Sequence, residues 1–259
     1  VFEMKSGRNS ELSEEQKRRY RRQLILPEIG EEGQKRLGKA RVLIVGLGGL
    51  GSISSYYLAA AGVGHLRIAD RDRVELGNLN RQLLHSTDDL GRPKVESASE
   101  KLRGLNPSCH VEAAVVNLGD ENAMGLAKNC DLIIDATDNV RTRHVLNRVS
   151  LKKQIPFIYG GISGWNGMAA TFIPGKTGCF ACLFPQERAR TSETEFPALG
   201  PTAGIISSIQ SMDALKILLG LPSQLAGKLF TFRGMDMRFR ITPMEQNPEC
   251  PLCTRPLKG

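Results

Sequence analysis

Over the first 160 residues, short apolar runs rich in β-branched residues alternate with amphipathic stretches. Val42-Leu43-Ile44-Val45 has no polar interruption, which marks a strand covered on both faces. Ser13 followed by Gln16 forms a capping-box start and predicts a helix to about Leu24, ended by Pro27 and Gly30. A short helix over 31–37 leads into a strand over 41–45. A glycine loop then opens a helix over about 51–61, which Gly62 and Gly64 close before a strand from His65 to Asp70. Pro93 starts a helix that runs to about 105. The spacing continues with a strand at 110–116, a helix at 120–128, a strand at 131–135, a helix at 139–152 and a strand at 156–160. This regular β-α order predicts an α/β protein with a doubly wound, mostly parallel sheet.

The pattern changes after Gly160. A strand is expected over 167–174, followed by an irregular stretch over 175–202 that contains Pro185, Pro197, Gly200 and Pro201. An irregular segment of this length in a compact domain is usually functional or mobile. Ile205, Ile206, Ile209, Met212 and Leu215 share one side of a helix over 203–219, and strands at 228–233 and 237–241 predict a closing antiparallel hairpin. No repeat or linker divides the chain. One domain is expected over 1–259, with a helical arm at 11–38, a β-α core at 39–160 and a C-terminal elaboration at 161–259.

Composition narrows the classes. The 259 residues are 41% hydrophobic, enough for one large α/β domain. No run of eighteen apolar residues is present, so no membrane span is expected. The start of the chain lacks a charged-then-apolar signal pattern, which points to the cytoplasm. The net charge is +8, which suits a polyanion or an acidic protein partner. Nucleic acid fits less well: aromatic residues make up only 5%, and the one dense basic run is Lys17 to Arg22. Four of the six cysteines form two C-x-x-C pairs, Cys179/Cys182 and Cys250/Cys253. In a cytosolic chain these read as a tetrahedral zinc site before they read as disulfides, with two redox pairs as the alternative. Cys109 and Cys130 fall beside apolar strands and read as core.

Gly46, Gly48 and Gly51 fit the G-x-G-x-x-G fingerprint, which brings backbone amides close to phosphate at a helix N-terminus. Asp70 follows about twenty residues later, where such folds place the acid that holds a ribose hydroxyl. The bland alternative is a tight turn that packs helix on strand without a ligand. A nicotinamide oxidoreductase is the default functional reading, and several features resist it. Only short elements follow the core, and none of His65, His85, His110 and His144 lies in a hydride-relay context. Arg81 and Lys94 supply more positive charge than a dinucleotide needs. A triphosphate that loses pyrophosphate does need such charge, with magnesium. A carboxylate of Asp135-Ala136-Thr137-Asp138-Asn139, at the carboxyl end of the 131–135 strand, suits that magnesium, although Asp138 could instead cap the next helix.

Taken together, Gly46 to Gly51, Asp70-Arg71-Asp72, Asn78-Leu79-Asn80-Arg81-Gln82, Lys94 and Asp135-Ala136-Thr137-Asp138-Asn139 resemble the E1-like activating enzymes of the MoeB/ThiF type. Arg19 to Gln23, both C-x-x-C pairs and the Gln210 helix match as well, so the resemblance covers about residues 13–254. It implies a Rossmann-like adenylation fold with a C-terminal antiparallel extension and a structural zinc site. It also implies a reaction: ATP-dependent adenylation of the C-terminal glycine of a ubiquitin-like, β-grasp sulfur carrier with a Gly-Gly tail. By the same resemblance Gly46, Gly48, Gly49 and Gly51 form the phosphate turn, and Asp70 and Asp72 lie on the nucleotide. Asn78, Arg81 and Lys94 address phosphates, Asp138 holds Mg²⁺ and Asn139 lies beside it. Arg22 reaches the site of the other protomer of a homodimer, and Cys179, Cys182, Cys250 and Cys253 hold zinc. One position departs from the pattern. Many relatives carry a cysteine eight residues before the proline that is Pro201 here, and this chain has Glu193. A thiolate is needed for any covalent sulfur step, so a separate sulfur donor is expected. A non-catalytic binder of a β-grasp protein is the third class considered.

Overall fold

The computed structural model describes residues 11–185 and 197–254. Its strands are β1 (Arg41–Val45), β2 (His65–Asp70), β3 (His110–Val115), β4 (Leu132–Asp135), β5 (Phe157–Ser163), β6 (Asn166–Phe172), β7 (Lys228–Arg233) and β8 (Arg238–Pro243). All lie in one sheet in the order β3-β2-β1-β4-β5-β6-β7-β8. The first five strands pair in parallel, and β6, β7 and β8 extend the sheet antiparallel. The helices are α1 (Glu14–Arg19), α2 (Arg21–Leu24), α3 (Gly30–Lys39), α4 (Gly49–Ala60), α5 (Lys94–Leu105), α6 (Asp120–Leu126), α7 (Val140–Lys153), α8 (Phe180–Leu183) and α9 (Gly200–Leu219).

The apolar run of β1 has a direct explanation. Val42 and Ile44 join a core with Leu58 of α4, Leu102 of α5 and Ala214 of α9. Leu43 and Val45 point the other way, into a core with Val145, Leu146 and Val149 of α7 and Phe157 of β5. A strand buried on both faces has no position for a polar residue.

Four elements differ from the sequence expectation. The helix expected from Ser13 to Leu24 breaks at Tyr20, although its capping box forms as expected. Tyr20 is buried, and its hydroxyl accepts a 2.8 Å hydrogen bond from Nδ2 of Asn106. A Cβ on Gly62 would lie 2.7 Å from the Tyr20 ring, so the chain bends there to seat the ring against a glycine. Helix α4 begins at Gly49, two residues before the expected start, with Gly48 as its N-cap. The antiparallel extension starts one strand early, because β5 and β6 form a tight hairpin through Gly164 at φ +56°. A short helix, α8, also lies within the stretch expected to be irregular.

Candidate active site and metal centre

The strand order reverses at β1, which has β2 on one side and β4 on the other. In an open parallel sheet such a switch point leaves a crevice beyond the carboxyl ends of the strands, where ligands bind. Val45 is level with Ala69 of β2 and Asp135 of β4. Gly46, Asp70 and the loop after Asp135 therefore emerge together at that edge.

Two glycines of the loop are required by packing alone. Gly46 has φ +91°, and a Cβ on it would lie 2.5 Å from the Ala136 carbonyl oxygen. A Cβ on Gly51 would lie 1.8 Å from the Gly46 oxygen. Gly48 is different, since a Cβ there would meet nothing closer than Gln82 Nε2 at 3.7 Å. Gly49 lies against Ala203 of α9 and the Arg81 backbone. The intervening Leu47 peptide is held on both sides. Its N–H donates to Asp70 Oδ2 at 2.6 Å, and its carbonyl accepts from Ser52 Oγ at 3.1 Å and faces Nε2 of buried His85 at 3.4 Å. Asp70 Oδ1 accepts the Asp72 N–H at 2.8 Å. Burial pushes the Asp70 carboxyl up from its ordinary range, while the N–H groups of Asp72 and Leu47 pull it down.

The expected cations frame the same loop. Lys94 is the first residue of α5 and is buried, with Nζ 3.1 Å from Asp72 Oδ2. Arg81 is half-buried and donates to the Gly77 carbonyl at 2.8 Å and to Asn80 Oδ1 at 3.1 Å. Among the described residues no carboxylate pairs with it. Asn78 ends a 3-10 turn, where its Oδ1 accepts the Glu75 N–H at 3.3 Å.

The two acids after β4 have opposite environments. Asp135 is fully buried. It pairs with Arg143 Nε at 3.1 Å and accepts from Thr137 N–H at 2.9 Å and Thr137 Oγ1 at 2.6 Å. Burial pushes its carboxyl up, opposed by Arg143 and Thr137. Gln210, also buried, donates to the Asp135 carbonyl at 2.8 Å, and it fits there because residue 160 is glycine. Asp138 is exposed and makes no hydrogen bond or ion pair among the described residues. The capping role open to it is filled by Asn139, whose Oδ1 accepts the Thr142 N–H at 2.8 Å. Arg143 and His85 were not legible as site residues, because both act through contacts that only the fold creates.

Arg22 is exposed on α2. Its neighbour Gln23 donates to the Ala61 carbonyl at 3.0 Å, at the carboxyl end of α4. The glycine loop is at the other end of this helix, about 18 Å away at 1.5 Å per residue. The fold does not bring Arg22 to the loop of its own chain.

The four C-x-x-C cysteines converge. Their Sγ atoms all lie within 4.8 Å of one another. The separations are 4.0 Å for Cys179–Cys182, 3.7 Å for Cys179–Cys250 and 3.4 Å for Cys182–Cys253. A tetrahedron with metal–sulfur bonds of about 2.3 Å has edges of about 3.8 Å, so the donor set fits zinc. All four are free thiols, not disulfides. Burial pushes the Cys179 thiol up and the Cys253 thiol up to about 11. A bound dication supplies the charge such thiols need to ionise. Cys109 and Cys130 are buried, and desolvation raises both thiols, Cys109 to about 11. Glu193 lies outside the described residues, and Pro201 is in the first turn of α9.

A nucleotide crevice at a glycine loop, framed by cations and an open carboxylate, and joined to a four-cysteine centre, defines an E1-like activating fold. The ThiF family model matches residues 20–252. The chain belongs to the ThiF family and is an E1-like enzyme of the MoeB/ThiF type. It is 41% identical over 243 residues to a sulfur carrier protein adenylyltransferase of Thermus thermophilus, covering 91% of this chain and 90% of that protein. Identity is also 41% to a SAMP-activating enzyme E1 of Haloferax volcanii, over 91% of this chain and 88% of that one. The adenylyltransferase and sulfurtransferase MOCS3 of Drosophila sechellia is 39% identical over 91% of this chain, which spans only 53% of that protein. Among solved structures, E. coli MccB with MccA-N7isoASN superposes with a TM-score of 0.81 at 24% identity, covering 91% of this chain and 74% of that one. This likeness bears on the fold alone. PaaA superposes with a TM-score of 0.78 at 27% identity, over 95% of this chain and 79% of the other.

Proposed function

We propose that this enzyme adenylates the C-terminal glycine of a ubiquitin-like sulfur-carrier protein with ATP and releases pyrophosphate. The observation that carries the reading is the open carboxylate of Asp138, at the same sheet edge as the glycine loop, Lys94 and Arg81. The names of the relatives that this chain matches along nearly their full length support the carrier as substrate.

The chemistry asks little of acid–base groups. A C-terminal carboxyl has an intrinsic pKa of roughly 3.5, so at neutral pH the tail is already a nucleophile. One of its oxygens forms a bond to the α-phosphorus. The bond from that phosphorus to the bridging oxygen breaks, and the electron pair leaves with pyrophosphate. Catalysis is then positioning and neutralisation of charge. In this reading Gly46, Gly48, Gly49 and Gly51 present the loop and the start of α4 to the phosphates, and Asp70 takes the ribose. Asp72 orients Lys94, while Asn78, Arg81 and Lys94 meet the phosphate oxygens. Asp138, with Asn139 beside it, would hold Mg²⁺, which neutralises the departing pyrophosphate.

ATP–pyrophosphate exchange that depends on a Gly-Gly-tailed carrier tests the reading. The absence of exchange with every sulfur carrier tried, while ATP binds, overturns it. Gly48→Ala gives a sharper test, because packing leaves room for the methyl group. It is expected to shift the melting temperature by less than about 2 °C and to weaken ATP binding by about tenfold or more. Thermal melts and titration calorimetry read the two effects.

The segment 183–202 contains no cysteine, and Cys109 and Cys130 are buried. This supports an enzyme that stops at the acyl adenylate and leaves sulfur to a separate donor. Cytoplasmic ATP and reduced thiols suit such a reaction. The position of Arg22, far from its own glycine loop, supports a homodimer in which Arg22 acts on the partner's nucleotide. Mixing inactive Arg22→Ala and Asp138→Ala proteins, with subunit exchange, is expected to restore roughly a quarter of parent activity. Half of the dimers would be mixed, each with one intact site. No recovery on exchange rules out action in trans.

A further inference from the structure

Asn147 lies on α7, one turn after Arg143 and so on the same face, and it is 1% exposed. Both ends of its amide are engaged, and both engage the start of α8. Its Oδ1 accepts the Phe180 N–H at 3.0 Å, and its Nδ2 donates to Cys179 Sγ at 3.5 Å. The first bond fixes which end of the amide faces the sulfur, because only the oxygen can accept from Phe180. Rings crowd the same place: Phe180 packs edge-on against His144 at 5.1 Å and lies tilted against Tyr159 at 5.4 Å. Neither ring nitrogen of buried His144 has a hydrogen-bond partner among the described residues, so the donor aimed at the cluster from α7 is the Asn147 amide.

We propose that Asn147 is a positioning residue for the metal centre. Its amide fixes the Cys179 sulfur in the orientation that the cluster needs, which strengthens the hold on a dication, and it withdraws charge from that sulfur, which protects it from electrophiles. The inference rests on the reading of the four cysteines as a metal site. Partners of this kind, one shell out from a metal, fix ligand orientation and set affinity. A feature of the fold follows: α7 carries the Asp138–Asn139 loop at its start and the outer contact of the metal two turns later.

The test uses the full chain loaded with Co²⁺, whose sulfur-to-cobalt charge-transfer band reports the electron density on the thiolates. Zinc affinity is measured beside it by competition with a chromophoric chelator. Asn147→Leu removes both bonds, and Asn147→Asp keeps an acceptor for Phe180 while removing the amide donor. Both variants are expected to bind zinc about 10–100-fold more weakly, and their cobalt charge-transfer band is expected to move to lower energy. Affinity and band both unchanged overturn the proposal. So does weakened affinity with an unmoved band, which shows Asn147 to be packing only. If Asn147→Leu fails to fold, Asn147→Asp decides. If the parent chain takes up neither metal, the four-cysteine reading falls, and the role of Asn147 falls with it.

Discussion

Asp138→Ala is expected to lower carrier-dependent ATP–pyrophosphate exchange by about 10²–10³-fold while the protein stays folded. Asp138 is exposed and unpaired among the described residues, so its removal breaks no contact there and opens no cavity. What it removes is the carboxylate that would hold a magnesium ion against the developing charge. Asp135→Ala is the control, and it is expected to fail for a different reason. Asp135 is fully buried against Arg143, with Thr137 on its other oxygen. Removing it strands a guanidinium that is mostly buried, a loss of about 3–5 kcal/mol. The two variants separate chemistry from folding. Melting curves should be shifted for Asp135→Ala and nearly superimposable with the parent for Asp138→Ala, whereas exchange should collapse in both. Exchange that survives Asp138→Ala within a factor of about three removes the central observation behind the proposed function. Ordinary exchange from Asp135→Ala would show that the burial of Asp135 is not needed to shape the loop.

The contrast shows where sequence reading stops. The fold was legible because period and burial agree: β1 is apolar at every position since both its faces are covered, and Pro93, Ser13 and the glycine loop mark boundaries by local chemistry. Boundaries were missed where a distant contact decides them, as at Tyr20, whose ring is held by Gly62 and Asn106. Within the site, residues that would meet a ligand directly stood out because a phosphate or a metal demands particular side chains at particular offsets. Residues that hold those groups did not. Asp135 and Asp138 belong to one pentapeptide and look alike in sequence; only the partner Arg143, one helix turn into α7, tells them apart. Asn147 touches Cys179 across 32 residues of chain, and Gln210 reaches Asp135 across 75. No local pattern encodes such pairs, which exist once β4, β5 and α7 are stacked.

The four cysteines carry the other large expectation. Cys250→Ser is expected to abolish stoichiometric zinc binding and to lower the melting temperature by on the order of 10 °C. The topology explains the size of the effect. Cys179 is the N-cap of α8 and Cys182 lies within it, whereas Cys250 and Cys253 lie in the last turn that the structure describes. Among the described residues, that turn has few apolar anchors of its own. The buried part of its cluster is Leu151, Cys179 and Cys250, with Ala181, Cys182, Leu252 and Cys253 around it. Three of those buried or packed positions besides Cys250 are themselves metal-ligand candidates. Without a cation the four cysteines offer only weak contacts to one another, so little holds the turn against α8. With one, four thiolates share a dication, and the binding free energy becomes folding free energy. Limited proteolysis should therefore cut Cys250→Ser, or chelator-treated parent, within 244–254, while the sheet core of β1 to β5 resists. Exchange activity at low temperature should persist in part, because Asp138 precedes the first turn of α7 whereas Asn147, which touches Cys179, lies two turns further along that helix. A Cys250→Ser protein with full zinc content and parent-like melting would show that three thiols suffice. A zinc-free parent with unchanged melting and proteolysis would remove the staple altogether and return the cysteines to the redox-pair reading.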